Sequence, residues 1–188
     1  RCVAGMNREL NGIICPAVVA GGLLFSLLGT AALAGGCGLS VQHVWFESYT
    51  ARAETAENCS DTDLTLRVRN RMGTVVYQSR HHIPDLFGFA DVDTAADMED
   101  ALKEWISRYP VSATTDRLPV WREESAVPDH REFPFYVREG MSRDYYEQIR
   151  QEKRRLHCFV QGSESLLCLT PDDSGTGLEV VGIQSFPG

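Results

Sequence analysis

A chain of 188 residues whose first few dozen form an apolar leader has room for one domain of ordinary size and no second core. The formal net charge is −8, and because Arg1, Arg8 and Glu9 are the ionic residues before Cys37, the part after it is more acidic still, at −9. A phosphate backbone needs a basic face, so this balance argues against nucleic acid and suits a basic protein or a cation better as partner.

From Leu10 to Phe46 there is no Asp, Glu, Lys or Arg, and residues 17–28 read AVVAGGLLFSLL. About 20 apolar residues suffice to span a bilayer, so the run is long enough to cross one. Its end is unlike that of a permanent span: after Leu28 the residues turn small, and no Lys or Arg stop signal follows. Placed after an n-region at Met6 to Arg8, the run LAGGC at Leu33 to Cys37 resembles the lipobox of bacterial lipoproteins. Ala34 stands three places before the cysteine, where lipoboxes usually carry Leu, and Leu33 is one place further back.

The resemblance covers the leader alone. It implies that Cys37 becomes the diacylglyceryl-modified first residue of the mature protein; Arg1 to Gly5, ahead of an expected start at Met6, read as upstream translation. Gly38, rather than Asp, resembles lipoproteins forwarded to the outer membrane, facing the periplasm. Acyl chains contribute roughly 0.8 kcal/mol per buried CH₂, so several together hold a soluble domain at a membrane. An uncleaved transmembrane helix and a cleaved, non-lipidated signal are the alternative readings of the same segment.

Export into an oxidising compartment permits disulfides. Outside the leader the cysteines are Cys59, Cys158 and Cys168. The last two lie in strand-like runs, Leu156 to Val160 and Leu166 to Thr170, joined by a polar QGSES turn, so a cross-hairpin bridge is reasonable. Both could equally be small buried core residues. The spacing is not C-x-x-C and no paired histidines accompany it, which disfavours zinc. No metal or cofactor is expected.

After the leader, Val41 to Ala53 reads as one strand rich in aromatic β-formers. Asp63 to Arg69 alternates at period two, with Leu64, Leu66 and Val68 on one face and Thr65, Arg67 and Arg69 on the other. Asn70 to Gly73 supplies a turn and Thr74 to Gln78 the returning strand. Thr94 and Asp97 form a capping box before a helix whose stripe is Met98, Ala101, Leu102, Trp105 and Tyr109, with Pro110 ending it. Trp105 is expected to be buried against the Leu64 to Val68 strand. A second helix starts at Ser142 with a Met141 to Tyr146 hydrophobic staple, Asp144 complementing its positive end and Arg150 its negative end. Pro119 to Pro134 reads as a long irregular connection, and Gly177 to Gln184 as the last strand. The fold class is therefore α+β, a largely antiparallel sheet with two amphipathic helices, preceded by an N-terminal hydrophobic helix; residues 1–37 are signal or anchor and 38–188 one soluble domain.

Candidate chemistry is sparse, and no catalytic residue is assigned. His81 and His82 near Asp85 suggest a metal or base, but neighbours face apart on a strand. Asp91, Asp93, Asp97, Glu99 and Asp100 concentrate carboxylates without the D-x-D-x-D-G pattern of a calcium loop, and most fit a cap and a solvated first turn. Ser163 and Ser165, with His130 or His157, do not meet G-x-S-x-G or its strand-turn-helix setting. Glu123, Glu124, Asp129 and His130 lie in an exposed loop where nothing fixes their distance. These readings favour a membrane-tethered cell-envelope lipoprotein with a non-enzymatic binding or structural role and another envelope protein as partner. A single-span accessory subunit of a membrane complex and an envelope hydrolase with an unrecognised site are the alternatives.

Overall fold

The computed structural model describes residues 38–56, 63–128 and 133–186. The leader, Cys37, Cys59, Asp129 and His130 lie outside the described residues. Within them the fold is α+β, with two helices and two antiparallel sheets rather than one.

The first sheet is a meander of β1 (Ser40–Trp45), β2 (Tyr49–Thr55), β3 (Asp63–Arg69) and β4 (Val75–His82), ordered as in the sequence. The single strand expected over Val41 to Ala53 is instead the β1–β2 hairpin. Its turn places Phe46 and Glu47 at φ 49° and 64°, and Ser48 N–H donates to Trp45 O at 3.1 Å. Left-handed backbone costs an ordinary residue roughly 1–2 kcal/mol, so such turns usually announce themselves with Gly or Asn. Here neighbours hold it: Phe46 packs edge-on against Tyr49, and Arg155 bonds both Phe46 O and Glu47. The β3–β4 hairpin follows its alternation. Leu64, Leu66 and Val68 are fully buried, while Asn70 Oδ1 accepts from Met72 and Thr74 N–H and Gly73 takes φ +79°.

The capping box at α1 (Ala95–Ser107) is complete: Asp97 N–H donates to Thr94 Oγ1, and Thr94 N–H donates to the Asp97 carboxylate. The helix ends before Tyr109, whose hydroxyl turns back to donate to Glu104 at 2.7 Å. The helix α2 (Arg143–Gln151) is capped by Ser142, and Met141 and Tyr146 are buried in one cluster as a staple requires.

The second sheet has the order β5 (Val111–Thr114), β7 (Arg155–Gly162), β8 (Ser165–Pro171), β9 (Leu178–Ser185) and β6 (Phe135–Val137), all antiparallel. Strand alternation gives it two apolar faces. Phe159 and Leu169 join a first core with β1–β4 and α1; Leu156, Cys158, Cys168, Val181 and Phe135 join a second core with α2. Trp105 is fully buried in the first core with Leu64, Leu66 and Val68. Its ring meets His81 and Phe159, and its indole N–H donates to Val160 O at 3.0 Å. Trp45 is fixed similarly by a bond to Ile106 O.

Candidate binding groove

Cys158 and Cys168 are direct cross-strand partners, with Cα atoms 4.0 Å apart, and are joined by a disulfide. That distance is well inside the roughly 7 Å limit for a bridge. The same cross-strand row continues outward to Val111 on β5 and Gly182 on β9. Gly182 is required here because a Cβ would collide with the Tyr136 carbonyl oxygen and the Phe135 ring, which lies across it.

The α2 side of this sheet is incompletely covered, and the gap is an open groove of about 950 Å³. Its floor is the disulfide with Leu156 and Leu166; β5 contributes Val111 and Ala113, and the segment after it contributes Leu118, Pro119 and Val120. Volumes of roughly 300–1,000 Å³ with mostly apolar walls are typical of small-molecule sites. Phe133 and Phe186 meet with tilted rings, their centroids 5.2 Å apart, and are 46% and 37% exposed, so large apolar surface stays open at the groove.

Charge is placed at the other end. Arg150 is nearly buried, pairs with Glu147 at 2.5 Å and donates to Leu118 O at 3.1 Å. Arg117 and Arg122 are exposed residues of the lining, and Asp116 stands beside them. The hydrogen bond from the Thr114 hydroxyl, helped by Lys153 and Arg117, holds the Asp116 carboxyl below its ordinary value, so it is ionised at neutral pH. Arg117, Arg122, Arg150 and Asp116 thus belong to the lining of an otherwise apolar groove.

The described residues singled out from sequence as candidate chemistry lie elsewhere, apart from the disulfide pair. His81 turns inward to Trp105 and Phe159, and His82 outward to Asp63, so the adjacent pair does face apart. Asp97 caps α1, and Glu99 and Asp100 pair with Lys103. Among the described residues no three His, Cys, Asp or Glu converge on a metal-sized site. Ser163 and Ser165 sit at the β7–β8 hairpin, whereas His157 pairs with Ser112, the Nδ1 and Oγ atoms being 3.0 Å apart. Burial among Trp45 and Phe46, with His43 adding a smaller effect, lowers the His157 pKa to about 4. Among the described residues its Nε2 has no hydrogen-bond partner. Glu123 makes an exposed pair with Arg143.

No family model, curated protein or solved structure matches the chain. The groove was missed by sequence reasoning because its lining comes from strands and connections between residues 111 and 186, assembled by sheet register.

Proposed function

We propose that this chain is a membrane-tethered cell-envelope protein with a non-enzymatic binding role, and that the groove over the Cys158–Cys168 disulfide is its binding surface. The observation that carries the binding half is an apolar groove of about 950 Å³ left open on one face of a sheet whose other face packs into the first core. The tether rests on the lipobox-like Leu33 to Cys37 run, with Cys37 as the acylated residue. A disulfide in the domain favours an oxidising compartment, as the periplasmic side of the envelope provides. Gly38 after the cysteine favours the outer membrane.

Mass spectrometry of the native N-terminus tests the tether. A diacylated Cys37 is expected, and Cys37→Ser is expected to leave a folded protein outside the membrane fraction. An intact leader that survives carbonate washing would instead establish the single-span accessory subunit, the reading favoured by the length of the apolar run. The groove is tested on the full chain in phosphatidylcholine nanodiscs with an uncharged long-chain alkyl diazirine. Adducts are expected on lining residues such as Val120 and Leu166; adducts confined to residues outside the lining would remove the groove as a binding surface.

A further inference from the structure

The chain as a whole is acidic, yet the outer face of its first sheet is basic. The alternation that buries Leu64, Leu66 and Val68 turns Thr65, Arg67 and Arg69 outward, and the register sets Arg52 of β2 directly opposite Arg67. Like charges directly opposite across a strand pair are destabilising. Among the described residues these two share one carboxylate: Glu54 pairs with Arg52 at 2.8 Å and also with Arg67. Arg69 donates to the Gly73 carbonyl, which carries no charge to offset it. Arg80 and His82 lie against Asp63 on the same face, and the excess does not depend on them. Three guanidinium groups against one carboxylate leave a formal +2 here, on a domain whose total after Cys37 is −9.

The chain enters the domain at this same face. Leu39 is pinned to the end of β2, its N–H donating to Thr55 Oγ1 at 2.9 Å and its carbonyl accepting from Thr55 N–H at 3.0 Å. Gly38, Leu39 and Ser40 line a shallow pocket of about 390 Å³ together with Arg52, Arg67 and Arg80. Only Gly38 separates the pinned Leu39 from Cys37, a reach of at most about 7 Å. We propose, resting on the tether at Cys37, that the face carrying Arg52, Arg67 and Arg69 docks on the anionic phospholipid headgroups of the bilayer that holds the anchor. The short tether keeps the pocket at headgroup depth, since the polar layer of a bilayer is roughly 5–8 Å thick on each side. Charge then decides which side of the domain turns down. An anionic leaflet attracts cationic side chains within a Debye length and repels the acidic remainder. The arginine face is thereby turned to the lipid, and α1, which packs on the buried side of the sheet, is turned away from it. Arginine suits the role because its planar fork matches phosphate oxygens.

The experiment uses the full chain in nanodiscs of phosphatidylcholine, or of an equal mixture with phosphatidylglycerol. Accessible arginines are modified with phenylglyoxal and mapped by peptide mass spectrometry, and retention of the chain on the nanodiscs is read in the same samples. In the mixed nanodiscs the modification of Arg52, Arg67 and Arg69 is expected to fall about fivefold relative to phosphatidylcholine alone. Molar salt, which shortens the Debye length to about 3 Å, is expected to restore it. Arg108 at the end of α1, 75% exposed in its side chain, is the internal reference and should be modified equally throughout. Equal modification of the three arginines in both nanodiscs, with the chain retained on them, would overturn the docking face while leaving the tether standing. Loss of the chain from both nanodiscs would overturn the tether, and with it this face. Protection in native envelope vesicles that is absent from nanodiscs of the lipid extracted from them would assign the face to an acidic protein and overturn the lipid.

Discussion

His157 is the side chain whose chemistry is most altered by its position. An imidazole buried against Trp45 and Phe46 loses its hydration when charged, which is why its pKa falls to about 4 from an ordinary 6.5. Because the unfolded chain binds the proton more readily, stability is level above about pH 6.5 and is lost as the pH falls toward 4. The loss by pH 4 is of the order of 3 kcal/mol. Denaturant titrations between pH 7 and 4 check this with His157→Asn beside the parent. The amide can keep a bond to Ser112 but cannot take up the proton, so its stability profile should be flatter over that interval. An identical slope would assign the acid sensitivity to other groups. His81 works in the same direction, its pKa lowered by burial despite a hydrogen bond with the Gln161 backbone that opposes the shift. Trp105 supplies a second prediction. It is fully buried, so Trp105→Ala should cost about 3–5 kcal/mol through lost burial and a cavity, read as a lower thermal midpoint. An unchanged midpoint would contradict its place in the core.

Elements differ in how far they could be read before the structure, and the difference follows the range of the interactions that define them. The Thr94–Asp97 capping box and the Ser142 cap are set within a few residues, so residue identity sufficed. The β3–β4 hairpin carries a full period-two pattern and a Gly at positive φ. The β1–β2 turn has neither signal, because Phe46 and Glu47 are held in left-handed backbone by Tyr49 and Arg155, the latter more than a hundred residues away. Strands β5 and β6 have four and three residues, too short for periodicity, and they exist because β7 and β9 offer them an edge. Of the candidate site, the disulfide was legible from two strand-like runs around a polar turn, and the arginines were not. Arg117, Arg122 and Arg150 have no shared spacing, and only the fold gathers them. Gly182 tests how the groove wall is built. Gly182→Val should drive Phe135 off the sheet and lower the melting temperature by several degrees, the magnitude expected for about 1–3 kcal/mol of overpacking in a domain of this size. An unshifted melt would mean that Phe135 relaxes without loss.

At the scale of the whole domain, the second sheet is the element that both cores share: Phe159 and Leu169 face one, and Cys158 and Cys168 the other. Neither core can lose its share of β7 and β8 without exposing the other, so unfolding should be a single cooperative event. The disulfide lies on those two strands and closes a loop with a sequence separation of 10. Chain-entropy arguments give such a crosslink about 2–3 kcal/mol of stabilisation, and removing it with Cys158→Ala and Cys168→Ala together should lower stability by that amount. The loss should be felt on both sides of the sheet. Amide exchange in the pair of mutants should therefore speed up by a similar factor in β3, which belongs to the first core, and in α2, which covers the second. Faster exchange in α2 alone would show that the groove side opens independently. In that case the groove would be a locally labile face resting on a stable first core, and ligand binding there should slow exchange in α2 while leaving β3 unchanged.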